Sequence, residues 1–257
     1  FNKIYASTFC SLNGILLISG APSAKIVGGT VTTIDNYPEI VALLFSNDLV
    51  TYRHNCGGSI INNRSILTAA HCTQFAPVNN RIRVGSTFSN SGGTVHSIIT
   101  VINHPLYNVG GFLNNDISII RTPSEIMFGN NVRAAFYPGS NYIVPDNAPV
   151  MAAGWGVTEV LINYGTQSEQ LRHVQLFIYN QQICNQSYGI ITDNMICAGY
   201  SGGGRDQGSS DSGGPLYHNG VVIGVCSFGN SGSGGHPNFP AVNVRVSRFI
   251  DWIQANA

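Results

Sequence analysis

The stretch Ser210-Asp211-Ser212-Gly213-Gly214-Pro215 lies shortly before an apolar run at 221–228 and contains a candidate nucleophile, Ser212. A serine hydroxyl is almost never ionised at neutral pH, so it needs a base to accept its proton during attack. Far upstream, Leu67-Thr68-Ala69-Ala70-His71-Cys72 supplies an imidazole, which is suited to that role. The two stretches together indicate an enzyme that uses nucleophilic catalysis.

A third segment, Asn115-Asp116-Ile117, places a carboxylate just before an apolar run at 117–120. A buried carboxylate bonded to one imidazole nitrogen fixes the tautomer, so that the other nitrogen faces the serine. Each residue alone is a weak signal, because single histidines and capping aspartates are more often structural. The order His71, Asp116, Ser212, with a distinctive context at each position, predicts a catalytic triad.

The rest of the chain has the pattern of an all-β protein. Short apolar or alternating runs are separated by Gly, Asn and Pro, which is typical of barrels or sandwiches. Helical periodicity is clear only at the end, where Val246, Phe249, Ile250 and Ile253 fall at i, i+3, i+4 and i+7, with Ser247 as a candidate cap. The predicted strands cover residues 40–45, 59–61, 81–84, 95–101, 117–120, 150–153, 173–177 and 221–228.

Composition limits the partners of the protein. Charged residues make up 9% of the 257 residues, the formal net charge is zero and no basic stripe is present, which argues against nucleic acid. The only lysines are Lys3 and Lys25, so residues 26–257 carry ten arginines and no lysine. Arginine keeps its charge at pH values where lysine loses it, so we expect a surface suited to an alkaline digestive lumen. Drift in codon usage is the alternative explanation.

Residues 1–25 are predicted to be a signal peptide with a short activation propeptide, followed by one domain at 26–257. Lys3 precedes an apolar core at 15–18, and small residues at 19–21 suit signal peptidase. The apolar core is too short to span a bilayer, and no other stretch approaches a membrane segment. We therefore expect a secreted, extracellular protein without a membrane partner. A buried strand at this place is the alternative.

Six cysteines fit an oxidising compartment. Close spacing favours two local disulfides, Cys56 with Cys72 and Cys184 with Cys197. One of the other two cysteines lies in the leader, which leaves Cys226 alone on an apolar strand. A small buried thiol is the expected role of Cys226, in preference to a reactive one.

These segments resemble the trypsin-like serine proteases of the chymotrypsin clan, and most closely the secreted digestive trypsins of insects. The resemblance covers residues 26–257. The motifs that carry it are Ile26-Val27-Gly28-Gly29, Cys56-Gly57-Gly58-Ser59, Ala69-Ala70-His71-Cys72, Asn115-Asp116-Ile117, Ala153-Gly154-Trp155-Gly156, Cys197-Ala198-Gly199-Tyr200 and Asp211-Ser212-Gly213-Gly214-Pro215.

The resemblance implies two packed antiparallel six-stranded β-barrels with a C-terminal helix, and a site between the barrels. It implies that Ser212 is the nucleophile, His71 the general base and then acid, and Asp116 the orienting carboxylate. It further implies a monomer with protein or peptide substrates, protein protease inhibitors as further partners, and no cofactor. Residues 81–97 contain no acid, so a calcium site like that of vertebrate trypsins is not expected and no metal is predicted.

The resemblance also implies a zymogen. Cleavage after Lys25 frees the α-amino group of Ile26, which in this family folds inward and pairs with the position of Asp211. Pairing of this kind orders the adjacent oxyanion loop, and a buried ion pair that loses either partner is costly. A solvated loop acid is the alternative interpretation of Asp211.

Substrate choice is assigned by the resemblance to Asp206, at the base of the primary pocket. A desolvated carboxylate there prefers Arg or Lys side chains and rejects apolar ones. An ordinary turn residue is the alternative interpretation of Asp206. Gly229 matches a pocket wall position that must lack a side chain. The backbone of the segment from Ser227 to Gly229 is expected to pair with the substrate as an added strand. Ala241 replaces a second pocket glycine and adds a methyl group.

Two further positions depart from the family pattern. Gly208 stands where the family has a cysteine, and no cysteine follows Cys226, so the pocket crosslink is absent. Ser210 replaces a glycine whose N–H, with that of Ser212, binds the oxyanion. The donor survives because it is main chain, but a β-carbon strains a positive-φ conformation.

The leading hypothesis is a secreted endopeptidase that cleaves after Arg or Lys through an acyl-enzyme. The departures from the family pattern motivate an alternative, a catalytically weak homologue that acts as a binding or inhibitory protein. The intact set of three catalytic side chains argues against that alternative. An esterase or lipase is disfavoured, because the order Ser, Asp, His and the Gly-x-Ser-x-Gly elbow are both missing.

Overall fold

A computed structural model of the chain describes residues 27–157, 166–229 and 235–257, which form two antiparallel sheets and two α-helices. The predicted leader, with Lys25 and Ile26, lies outside the described residues. A two-residue strand, β1 (Thr30–Val31), pairs with the second sheet. No helix in the described part of the chain has the length and apolar character needed to span a bilayer.

The first sheet has the order β6-β5-β2-β3-β4-β8-β7. Its end strands β6 and β7 are separated only by Ile98 and Ile99, so the chain itself closes this sheet into a barrel. The predicted single strand at 95–101 is thus two short strands. The bounds are β2 (Ile40–Phe45), β3 (Arg53–Asn62), β4 (Ser65–Thr68), β5 (Asn80–Val84), β6 (Thr94–Ser97), β7 (Thr100–Asn103) and β8 (Ser118–Arg121).

The second sheet closes by direct pairing, because β9 bonds to both β10 and β12. Six of its strands therefore form a ring, and the short β1 is added at β10. The predicted all-β fold with two barrels and a C-terminal helix is confirmed. The bounds are β9 (Pro149–Gly154), β10 (Arg172–Ile178), β11 (Met195–Gly199), β12 (Pro215–His218), β13 (Val221–Phe228) and β14 (Ala241–Arg245).

One apolar core runs through the first barrel and into the contact between the barrels. Ile40, Ile82 and Ile119 are fully buried in the first barrel, and the same cluster continues through Trp155 to Val244 of the second. Burying side chains of this size stabilises a fold by about 1.5–3 kcal/mol each. The shared core fixes the two barrels against each other and thereby fixes the cleft between them.

The helices differ from expectation in two respects. A short helix, α1 (Gln181–Tyr188), was not predicted; the Asn180 side chain caps its first N–H groups, and Gly189 ends it at φ 70°. The predicted terminal helix, α2 (Ile250–Asn256), is present. Its predicted cap is wrong, because Ser247 lies inside a 3₁₀ turn and Phe249 occupies the N-cap position.

Candidate active site

His71 and Asp116 meet because the strands that precede and follow them are neighbours. His71 lies in the 3₁₀ turn after β4, Asp116 lies just before β8, and Thr68 pairs with Ser118 across these strands. The imidazole Nδ1 lies 2.7 Å from Asp116 Oδ2, and the backbone N–H of His71 donates to Oδ1 at 2.8 Å. Because Nδ1 bonds to the carboxylate as a donor, Nε2 is the nitrogen that can accept a proton, and it lies 3.6 Å from the Cys72 sulfur.

Asp116 is fully buried and receives a third hydrogen bond. The Ser227 hydroxyl donates to its Oδ2 at 2.6 Å. The sequence assigned Ser227 only to substrate binding, and this contact across 111 residues was missed. A carboxylate with several donors is held in one orientation, so the orientation of the His71 ring is held with it.

Ser212 lies on a tight turn that packs against the segment leading to His71. Its carbonyl accepts a hydrogen bond from Gly57 N–H at 2.7 Å. The next residue, Gly213, has φ 76°, and a β-carbon there would lie 2.2 Å from Thr68 Oγ1 and 3.2 Å from Ala69 N. Only glycine fits this approach. The structure therefore brings the Ser212 and His71 segments into direct contact.

Ser210 adopts the left-handed conformation that its position requires, at φ 69°. For a residue with a β-carbon this region costs about 1–2 kcal/mol. Among the described residues, the N–H groups of Ser210 and Ser212 have no hydrogen-bond acceptor. Two unpaired main-chain donors near a serine are what an oxyanion site needs.

Asp211 is buried between the oxyanion segment and the Trp155-Gly156 segment. Its Oδ1 accepts from Gly156 N–H and its Oδ2 from Gly208 N–H, each at 2.8 Å. Burial raises the pKa of Asp211 to about 6, although these two N–H groups oppose the shift. The alternative interpretation of Asp211 as a solvated loop acid does not fit, because only 2% of the residue is exposed.

Asp206 is also buried, at 5% exposed. Burial raises its pKa to about 7, and the Gln207 N–H, which donates to the carboxylate at 2.9 Å, opposes that shift. A backbone hydrogen bond from Ala241 also reaches the Asp206 carboxylate and opposes the rise in its pKa. A β-carbon added to Gly229 would meet only the Cα of Ala241, at 3.8 Å, so Ala241 lies beside both Asp206 and Gly229.

Comparison with known proteins decides the family. A profile described as Trypsin matches residues 26–253. The chain belongs to the trypsin family. It is 50% identical over 252 residues to "Trypsin, alkaline C" of Manduca sexta, which covers 95% of this chain and 96% of the relative. It is 52% identical over 239 residues to "Trypsin CFT-1" of Choristoneura fumiferana, covering 91% of each. "Trypsin delta" of Drosophila erecta is 36% identical over 266 residues, covering 100% of the chain and 99% of the relative.

As a trypsin-family member with relatives at this identity over most of its length, the protein is a serine endopeptidase. The alternative of a catalytically weak homologue that acts as a binding or inhibitory protein gains no support from these relatives, each of which carries the name trypsin. The geometry is compatible with this activity, since Asp116 bonds to His71 and the turn that carries Ser212 packs against the segment leading to His71.

One side-chain cluster in the described parts of this trypsin-family chain has metal-ligand spacing: Cys56, His71 and Cys72. The two sulfurs are bonded to each other, and a disulfide sulfur is not the thiolate that a metal requires. The cluster therefore does not provide a cation site.

The two predicted disulfides, Cys56–Cys72 and Cys184–Cys197, are both present. Cys226 is the one free cysteine of the described residues and is buried. Burial and the nearby carboxylates raise the pKa of its thiol well above the ordinary value, so the thiol stays protonated. It is therefore inert, as expected of a structural thiol.

Removing the Cys56–Cys72 disulfide by changing both residues to alanine is expected to lower the free energy of unfolding by about 3 kcal/mol, because it closes a loop with a sequence separation of 16. It should also lower kcat, since Cys72 follows His71. Urea unfolding and kinetics check both effects. The matched control removes the Cys184–Cys197 disulfide, of sequence separation 13, which links α1 to β11. That variant should lose similar stability and keep its kcat; an equal loss of kcat in both variants would contradict the prediction.

Proposed function

We propose that the protein is a secreted endopeptidase that cleaves peptide bonds after Arg or Lys through an acyl-enzyme. Ser212 acts as nucleophile, His71 as general base and then acid, and Asp116 orients the imidazole. The N–H groups of Ser210 and Ser212 stabilise the oxyanion. Protein and peptide substrates with a basic residue at the cleaved position are the expected partners, with protein protease inhibitors as further ligands.

The observation that carries the substrate class is the buried Asp206. No Lys, Arg or His among the described residues forms an ion pair with it. The adjacent Arg205 does not serve as its partner, because that guanidinium stacks 4.4 Å from the Tyr200 ring centre. A buried carboxylate without a cation is costly unless a ligand supplies the charge. A guanidinium or ammonium group of the substrate is the fitting partner.

We further propose that the chain is made as a zymogen and activated by cleavage after Lys25. The carbonyl of Val27 accepts a hydrogen bond from Asp206 N–H at 3.1 Å, so the chain that follows Ile26 runs beside the pocket. Asp211 is buried nearby without a cationic partner among the described residues. A new α-amino group at Ile26 would supply that charge and hold the oxyanion loop in place.

An alkaline digestive lumen is the proposed site of action. The cations of residues 26–257 are all arginines, which keep their charge at high pH. Three of the similar proteins, all from Manduca sexta, carry the word alkaline in their names.

Burst kinetics on an arginyl ester test the proposal. After cleavage behind Lys25, the protein should release about one equivalent of alcohol per molecule before steady turnover, because acylation outpaces deacylation in ester hydrolysis. The uncleaved chain and the Ser212→Ala variant serve as controls and should show no burst. A cleaved wild-type protein with neither burst nor turnover would overturn the proposed function.

Affinity for benzamidine, a small amidinium cation, is expected to depend on the ionisation of Asp206. Because burial raises the pKa of Asp206 to about 7, the carboxylate is largely protonated below that pH and binds a cation poorly. The dissociation constant should fall up to about tenfold per pH unit as the pH rises toward 7, and level off above it. Calorimetric titration between pH 5.5 and 9 measures the profile. A flat profile would contradict the role of Asp206.

A further inference from the structure

Ser210 holds a left-handed conformation although it carries a side chain. Its φ of 69° is one that glycine adopts freely and serine does not. The N–H of this residue is one of the two donors assigned above to the oxyanion. Since serine tends to leave this conformation, a contact outside the loop must hold it for the donor to stay aimed.

Gln167 makes that contact. Its Nε2 donates to Ser210 Oγ at 2.7 Å, across 43 residues of sequence. Among the described residues, the Ser210 side chain forms no other hydrogen bond. A glycine at position 210 would have no group for the carboxamide to hold.

The backbone around Gln167 is tied to the same loop. Gln167 forms an antiparallel bridge with Val157, and Val157 N–H donates to the carbonyl of Ser209 at 2.8 Å. The bridged pair of residues thus holds two consecutive residues of the loop. The main chain of Val157 bonds to Ser209, and the side chain of Gln167 bonds to Ser210. On the other side of Ser210, the loop is held by Asp211, whose N–H bonds to the Gly208 carbonyl at 3.1 Å.

We propose that Gln167 is a positioning residue that holds Ser210 in the left-handed conformation, and thereby keeps the Ser210 N–H aimed at the oxyanion. The inference rests on the proposed function, because it concerns the same acyl-transfer site. Gln167 touches no reacting atom. Its side chain also interacts with the buried ring of His54, which has no part in the proposed chemistry, so we expect its effect on kcat to come through Ser210. Because Gln167 is exposed, water competes for its amide and the effect on rate is modest.

A double-mutant cycle tests the inference with Gln167→Ala, Ser210→Gly and the double variant, all cleaved after Lys25 and assayed on one arginyl peptide. In the presence of Ser210, Gln167→Ala should lower kcat about threefold to tenfold and leave KM nearly unchanged, because the oxyanion develops only in the transition state. Combined with Ser210→Gly, the same change should have no effect, since glycine needs no support. Ser210→Gly alone should have a kcat at or above that of the wild type.

A second substitution separates the hydrogen bond from simple packing. Gln167→Met keeps the length of the side chain and removes its N–H donor, so it should lower kcat as much as Gln167→Ala. Equal losses of kcat with and without Ser210→Gly, or an unchanged kcat in Gln167→Ala, would overturn the inference while the wild-type burst still supports the proposed function. A wild-type protein without a burst on the arginyl ester would overturn both.

Discussion

Replacing Ser212 with alanine is expected to lower kcat for an arginyl peptide by about 10⁶-fold, the size of effect found when the nucleophile of a serine triad is removed. The change deletes only the hydroxyl. The hydrogen bond from Gly57 N–H to the Ser212 carbonyl is main chain and stays. The variant should therefore keep the unfolding midpoint of the wild type, and kinetics together with thermal unfolding check the two results.

The matched control for this loss is Ser209→Ala, three positions upstream on the exposed side of the same loop. That change should alter kcat by less than about threefold, because no side-chain hydrogen bond of Ser209 is present among the described residues. Adding His71→Ala to Ser212→Ala should cost almost nothing further, since the two residues act as one unit. Residual activity above about 1% in Ser212→Ala would show that hydrolysis does not proceed through Ser212.

Sequence patterns predicted the barrels because short apolar runs between turn residues mark many of the strands, and in a few strands burial also alternates along the chain. Strand β5 is an example, with Asn80, Ile82 and Val84 buried and the two arginines between them half-buried. Helix α1 escaped prediction because only Cys184 of its eight residues is buried, so no apolar stripe marks it. The residues that indicate this helix lie at its two ends, where Asn180 caps the first turn and Gly189 follows the last.

The site was predictable where a local motif carries the chemistry. His71, Asp116 and Ser212 each have such a context, and their order along the chain disfavoured an esterase or lipase. Contacts between distant segments were not predictable. Nothing near Ser227 indicates that its hydroxyl bonds to Asp116, and nothing near Gln167 indicates a bond to Ser210, because such pairings depend on the barrel closure.

Replacing Asp206 with asparagine is expected to weaken the preference for Arg and Lys substrates and to raise the free energy of unfolding. Without the carboxylate, kcat/KM for Arg and Lys substrates should fall by about 10⁴-fold, because a buried cation is left without its counter-charge. The smaller variant Asp206→Ser should show the same loss and shift the preference toward uncharged side chains. Profiling with a peptide library measures both effects. Cleavage after Arg at the wild-type rate in either variant would show that the pocket assignment is wrong.

The stability gain follows from the sign of the pKa shift. Burial raises the pKa of Asp206 to about 7 in the folded protein, against about 3.9 in an unfolded chain. Between these values the folded state binds more protons, so the contribution of Asp206 to stability is fully present below about pH 4 and is lost as the pH rises through 7. The ionised carboxylate therefore costs about 4 kcal/mol at pH 8, and Asp206→Asn should recover about half of this or more.

Unfolding is best compared between Asp206→Asn and the unchanged chain, both carrying Ser212→Ala so that self-digestion does not interfere. The difference in unfolding free energy should be near zero at pH 4 and reach its full size above pH 7. His54 does not disturb this comparison: burial lowers its pKa to about 4, which gives a slope of the opposite sign, but His54 is present in both proteins and cancels. Equal stability of the two proteins at pH 8 would mean that a cation already compensates Asp206 before substrate binds, and the pocket would then have no unpaired charge with which to select Arg or Lys.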